Sequence, residues 1–543
     1  METDESHPLE LNATADRREL LKDAITLAAG GLLGALAIAG ERAEASAQEA
    51  EASPVATPPL ELSQPSILSS ADGVLALTLT ATPAVVDMHA PSPVSTWTYD
   101  GIVPGYTWEV RPGDTLYVDL VNGLPEIEHD MPMSMTRPHD WTTTNLHTHG
   151  LHVSPSGNAD NVFIEIKPGD SEHYEIPIPA DHPGGLFWYH PHKHGAVCQQ
   201  VRAGMAGALI VRGEIDEVPE VRAAKEQVMV LQAIELGDDY QLLDPIPFPT
   251  KEQAFYPRTQ ILYTVNGVMT PTVTMYPGEV QRWRMLNAAE GKFMSLQLVG
   301  HSMNVLAWDG LTLAAPDVVR GVTMTAGNRV EMLIKAGAPG TYDLVLSPGS
   351  SQHPEILAMF DGDEMEADAM GTDNAELLTR PILRLVVEGE GPEMALPETL
   401  PAWNPRVPPV TRQRQLSYSV QREANNQFLN FGVSGFPFDP DRLPYQAKLG
   451  TTEEWTLINA VDNKLPMHAH GFHIHVNPFK ITNINGDDLD VPLWRDTYAL
   501  TGTTSDSFTF EVSFLDYTGK FVEHCHVLSH EDLGMMEAIE VIP

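Results

Sequence analysis

The residues able to do chemistry in this 543-residue sequence are histidines spaced for extended chain. His-x-His occurs six times, at 147/149, 190/192, 192/194, 468/470, 473/475 and 524/526, in a chain with 21 histidines. Scattered at random, that many histidines would give about 0.8 such pairs. In a β-strand residues i and i+2 share a face, so each pair turns two imidazoles toward one ion or two neighbouring ions. A single pair reads equally well as a polar turn or a hydrogen-bonded surface patch, but four separate clusters point to metal. The clusters are Asn145-Leu146-His147-Thr148-His149-Gly150, Phe187-Trp188-Tyr189-His190-Pro191-His192, His468-Ala469-His470-Gly471-Phe472-His473-Ile474-His475, and the run from His524 through Met535. The last holds the softest donors. Imidazole, thiolate and thioether together favour copper, and a trigonal His₂Cys set with a weak axial Met is the blue-copper arrangement. Cys525, His530 and Met535 have the loop spacing for such a site, and His470 can complete it from another strand.

These clusters resemble the four copper-binding motifs of three-domain multicopper oxidases, the family of laccases, bacterial cuprous oxidases and bilirubin oxidases. They also fall in the family's order, two in the first third and two near the end. The resemblance implies three cupredoxin-like Greek-key β-barrel domains, with mononuclear copper in the third and a trinuclear cluster between the first and third. Carried over residue by residue, it assigns His470, Cys525, His530 and Met535 to the type 1 site and His147 and His473 to the type 2 ion. His149, His190, His192, His475, His524 and His526 match the type 3 pair, for four copper ions in all. Cys525 is bonded in the chain to His524 and His526, which gives electrons a short through-bond path. The implied reaction is one-electron oxidation of a small donor at type 1 copper and four-electron reduction of O₂ to two waters at the cluster. Asp160 and Glu531 resemble the family's acidic proton-relay residues.

Several neighbouring residues fall outside that pattern. His194 and His468 lie one step out of the matched register, which suggests roles beside the metal or at the surface. Cys198 has no obvious partner and reads as a buried free thiol. Met131, Met133 and Met135 could offer thioethers to Cu(I) or simply pack as apolar residues.

Such a site needs strands held in register, and the rest of the sequence supplies them. Forty-four prolines and 41 glycines mark many turns, and runs at helical period are scarce, so the expected class is all-β. One phrase recurs, running Gly113 to Asn122, Gly278 to Asn287 and Gly450 to Asn459, with alternating residues between. In the first copy Leu116, Val118 and Leu120 share a face, as a half-buried strand requires. The copies start 165 and 172 residues apart, a domain-sized repeat. The expected domains are 71–215, 226–388 and 411–543. The middle copy leads to Phe293-Met294-Ser295-Leu296 with no His-x-His, so by resemblance the middle domain binds no copper and serves as a spacer.

Lysine plus arginine number 32 against 74 aspartates and glutamates, a net charge of −42. That field repels polyphosphates, which excludes nucleic acid as a partner, and favours cationic or neutral donors at low salt. Two cysteines form no disulfide framework. Residues 1–47 carry Arg17-Arg18, an apolar stretch from Ala24 to Gly40 and Ala45-Ser46-Ala47, which look like a twin-arginine export signal to the periplasm or cell exterior. The stretch is too short and glycine-rich for an anchor, so no stable membrane span is expected in the mature protein. Residues 48–70 read as a flexible linker. The leading expectation is an exported laccase-like oxidase whose partners are O₂ and a phenol or aromatic amine. A metallo-oxidase for Cu(I), Fe(II) or Mn(II) in copper tolerance would share every motif. A non-catalytic copper carrier or electron-transfer cupredoxin would leave eight further histidines unexplained. A two-domain copper nitrite reductase fits less well, because this chain carries both halves of a trinuclear site. The oligomeric state is left open by the sequence.

Overall fold

The computed structural model describes residues 60–127, 134–237, 239–242, 260–346, 380–422, 429–461, 469–500 and 505–543. Among them the chain forms six β-sheets, two in each third, and its α-helices are short: Val197–Ala203, Pro219–Ala223 and Leu528–Asp532. The all-β expectation holds. No helix among the described residues is long and apolar enough to cross a membrane. The export signal at 1–47 lies outside the described residues.

In the first barrel a four-stranded sheet centred on Val74–Val86 and Thr115–Asn122 closes over a five-stranded sheet that contains His147–His149 and Gly185–His190. Trp108, Leu116, Val118, Leu120 and Phe187 fill the space between them. The middle and third barrels each pair a six-stranded with a five-stranded sheet, around Trp283 and Met332 in one and Trp455, Phe472 and Phe510 in the other.

The recurring phrase forms the same strand three times, Thr115–Asn122, Val280–Asn287 and Thr451–Asn459. Each runs parallel to one long strand and antiparallel to another. Its glycine sits in the turn before the strand at φ of +91°, +78° and +80°, a conformation that costs other residues energy. Its asparagine ties off the strand's end. Asn122 Nδ2 donates to Thr142 O and Ile166 O, both at 2.7 Å, and its Oδ1 accepts from Leu124 N. Asn287 repeats this with Lys292 O, Met324 O and Ala289 N. In the middle copy both strand faces are buried, because Arg282 and Arg284 point away from the core and pair with Asp216 near the end of the first barrel.

The linker expectation needs correction over residues 60–70. Leu62 N donates to Thr272 O and Thr272 N to Leu60 O, both at 2.7 Å. Ile67–Ser69 then adds a parallel strand beside Thr107–Val110. Composition suggested a free tether, but open sheet edges offer backbone partners that even a proline- and serine-rich segment can take. Residues 48–59 lie outside the described residues.

Replacing Asn122 with alanine removes the hydrogen bonds to Thr142 O and Leu124 N, while Ile166 O keeps its bond from Thr144 N. It should cost about 1–3 kcal/mol of stability, read as a lowered denaturant midpoint. An unchanged midpoint would show that the asparagine repeat does not hold the barrels together.

Candidate metal centre

Two short ladders place the histidines. His147–His149 pairs antiparallel with Gly185–His190, which puts His147 opposite His190 and His149 opposite Trp188. His470–Ile474 pairs with Gly519–Cys525, which puts His473 opposite His524 and Phe472 opposite Cys525. His192 follows Pro191 beyond the strand end, where its amide donates to Asn145 Oδ1 at 2.6 Å. The two ladders meet so that His147 stacks on His475 with ring centroids 3.9 Å apart, and His149 stacks on His473 at 3.8 Å. Nε2 of His192 lies 3.1 Å from Nε2 of both His475 and His524. His526 closes the group, its ring centroid 5.0 Å from that of His149. All eight imidazoles are buried.

A second, smaller group lies in the third barrel. Cys525 Sγ is 3.6 Å from His470 Nδ1 and 3.7 Å from His530 Nδ1, and the two nitrogens are 3.3 Å apart. Cys525 N donates to Met535 O and Met535 N to His530 O, which folds the intervening loop back on itself. Met535 is buried in the same core, and Phe431 stacks on His530 at 4.6 Å.

Burial sets the protonation of these groups. It lowers His192, His524 and His530 to about 3. It also lowers His149, His190, His473, His475 and His526, helped by mutual repulsion among the rings. The Cys525 thiol is pushed up to about 12 by the same burial. Carboxylates take outward-facing nitrogens. His147 Nδ1 donates to Asp160 at 2.9 Å and Thr148 N donates to it at 2.7 Å. Burial alone would raise Asp160, but His147 and Thr148 hold it below the usual carboxylate range. Glu531 Oε2 lies 2.9 Å from His524 Nδ1 and Oε1 lies 3.5 Å from His192 Nδ1. Burial pushes Glu531 up to about 7.

The residues outside the matched pattern divide. His194 is buried rather than at the surface, with Nε2 2.9 Å from Met135 O, because the loop around Met135 covers it. Cys198 is buried as expected but does have a partner, Arg202 Nη2 at 3.2 Å, brought within reach by one turn of the Val197–Ala203 helix. Met135 lines a 440 Å³ cavity whose wall includes His192, Phe163, Lys193, Phe438 and Met536. Met131, Met133 and His468 lie outside the described residues. Two residues that the sequence did not single out reach the cluster. Asp496 O accepts from His473 Nδ1 at 2.8 Å, and Arg329 of the middle barrel forks onto the Asp496 carboxylate. Asp496 follows Arg495 and Arg329 stands two residues before Glu331, so neither is marked out by its local sequence.

The cluster suits a metal ion on its own chemistry. His147 Nε2, His149 Nδ1, His190 Nε2, His473 Nε2, His475 Nδ1 and both nitrogens of His526 are buried without a hydrogen-bond partner. Proteins rarely leave such atoms unsatisfied unless something else binds them. Neutral imidazole and thiolate are donors that copper accepts.

Family models described as multicopper oxidase match residues 138–215, 238–359 and 408–543. The chain is 24% identical over 447 residues to a multicopper oxidase of Staphylococcus haemolyticus, covering 82% of this chain and 83% of that one. It is 26% identical over 504 residues to a laccase of Haloferax volcanii, covering 86% and 81%. The solved structure of a Campylobacter jejuni multicopper oxidase, described as a metallo-oxidase, matches with a TM-score of 0.68 at 23% identity, covering 89% of this chain and 98% of that chain. The barrels are cupredoxin-like, as the sequence led us to expect.

Copper uptake at the histidine cluster should vary little between pH 5 and 7, because burial already lowers the pKa of seven of its imidazoles. Uptake at Cys525 must release the thiol proton, so it should tighten about tenfold per pH unit. Chelator competition at pH 5, 6 and 7, followed by total copper and by visible absorbance, separates the two. A cluster affinity that climbs as steeply as the thiolate site's would mean the histidines are protonated in the folded chain.

Proposed function

The chain belongs to the multicopper oxidase family, and we propose that it is a laccase-like member that oxidises phenols or aromatic amines and reduces O₂ to water. The observation that carries this reading is the pairing of two buried groups through one residue. Cys525 sits in the His₂Cys group, and its chain neighbours His524 and His526 belong to the eight-imidazole cluster. In this reading His470, Cys525, His530 and Met535 hold type 1 copper, and His147 and His473 hold the type 2 ion. His149, His190, His192, His475, His524 and His526 hold the type 3 pair. Bound there, copper would supply one-electron chemistry at the thiolate site and four-electron reduction of O₂ at the cluster.

The chain's own groups prepare that chemistry. Cys525 offers a continuous covalent route into the cluster through its peptide bonds to His524 and His526. Burial shields the imidazoles from bulk water, and Asp160 fixes the tautomer and tilt of His147 by accepting from its Nδ1. Glu531, raised to about 7, carries a proton for part of the time at neutral pH and stands beside His192 and His524, where protons are needed. The barrel boundaries expected above and export through residues 1–47 complete the reading.

A second reading, oxidation of Cu(I), is favoured by the thioethers of Met135 and Met536 in the cavity wall beside His192. Oxygen consumption by the copper-loaded protein with a phenol and with Cu(I), recorded with the visible spectrum, separates the two. Faster turnover of the phenol by a blue protein supports the laccase reading, and a strong preference for Cu(I) replaces it with the second. A blue protein that consumes no O₂ with either donor rejects both. Glu531→Gln and Asp160→Asn should each slow O₂ reduction, by roughly 10²- to 10⁴-fold if the group transfers protons directly, while blue absorbance persists. Unchanged turnover across several pH values would remove that residue from proton delivery.

A further inference from the structure

The middle barrel carries no His-x-His, yet one of its turns forms a wall of the histidine cluster. Residues 325–328 link strands Val322–Met324 and Arg329–Lys335. A Cβ added to Gly327 would lie 3.0 Å from the His526 ring and 3.1 Å from the His149 ring, so a side chain there would crowd both rings. Its φ of +88° independently favours glycine. Asn328 Nδ2 donates to Thr497 O at 2.9 Å, which joins this turn to the third barrel.

Arg329 does more. Its guanidinium is fully buried and reaches all three barrels. Nε donates to Leu186 O in the first, at 3.1 Å. Within the middle barrel, Nη1 donates to Gly327 O and Nη2 to Asp309 O, both at 3.0 Å. The same two nitrogens then grip Asp496 of the third, Nη1 to Oδ1 at 2.8 Å and Nη2 to Oδ2 at 2.5 Å. Asp496 presents its backbone oxygen to His473 Nδ1, and its Oδ1 lies 3.5 Å from His149 Nε2. Thr497 Oγ1 donates to Asp496 Oδ1 and lies 3.2 Å from both His149 Nε2 and His473 Nδ1. These two histidines are one of the stacked pairs that join the ladders. A lysine could not copy this arrangement, because an ammonium lacks the planar fork that holds a carboxylate and three carbonyls together.

We propose that Arg329 is a positioning residue of the copper cluster, acting through Asp496 and Thr497 to fix the His149–His473 pair. The middle barrel is then a structural part of the site and not a spacer. This rests on the copper reading above.

The test uses the full chain, reconstituted with copper, as wild type, Arg329→Lys and Asp496→Asn. Asp496→Asn leaves the guanidinium's carbonyl contacts in place, so it decides the matter if Arg329→Lys does not fold. Copper affinity by chelator competition, the electron paramagnetic resonance spectrum and blue absorbance are measured on each. Cluster copper should bind roughly 10- to 100-fold more weakly, with an altered resonance spectrum, while blue absorbance per chain stays at the wild-type value. Wild-type affinity and spectrum in a folded variant overturn the proposal. So does a matched loss of blue absorbance and cluster copper, since that marks general unfolding and not positioning. Wild-type protein that takes up only the blue copper would overturn the copper-cluster reading itself, and that outcome is visible without any variant.

Discussion

The centre of the molecule depends on two short β-ladders staying in register. Side chains alternate with a period of two, so a slip of one residue would turn His147 and His149 away from the cluster together. The first ladder spans only three paired residues and cannot hold itself. Groups flanking it supply the missing constraint. Leu146 N donates to Tyr174 Oη, Thr148 N to Asp160, and Asn145 Nδ2 to Val162 O. The second ladder is braced from its far side, where Gly519–Cys525 also pairs with six residues of Met536–Ile542. Each His-x-His is thus fixed by side chains and strands that hold no metal themselves.

Burial imposes the second constraint. Eight imidazoles packed within a few ångströms could not stay together if several were charged, and removal from water lowers the pKa of seven of them. The protein's large negative charge has to be kept out of this region, and the few carboxylates admitted face nitrogens on the cluster's outer side. Elsewhere buried charges are paired, as where Arg282 and Arg284 meet Glu331 on the outer face of the middle barrel's sheet and Asp216 beside it. Such pairs contribute little net stability after desolvation, but breaking one leaves a stranded charge. They therefore select one docking of the barrels over others.

What could be read from the sequence was what local geometry writes into it. His-x-His matches the strand's period, and the glycine and asparagine of the repeat answer a turn's φ and a strand end's unpaired groups. Cys525, His530 and Met535 share one loop, so their spacing alone suggested their meeting. What could not be read was set by convergence of distant chain. Nothing near residue 147 indicates that its ring stacks on one 328 positions later. Asp496 and Arg329 look like ordinary charges until three barrels bring them together. Residues 60–70 misled for a related reason, since their proline- and serine-rich composition described an isolated segment and not the sheet edges waiting for it.

The position of Arg329 bears on why the chain has a middle barrel at all. A spacer would need only the right length, and apolar contacts would serve it. Burying a guanidinium where three barrels meet is costly unless nearly every donor and the charge are satisfied, and here the partners come from all three barrels. The pair is complete only when the barrels have docked, and the same docking brings Gly327 against His149 and His526. Assembly of the barrels and assembly of the histidine cluster are consequently one event. The finished cluster therefore requires the Arg329–Asp496 pair and the Gly327 contact to be in place together.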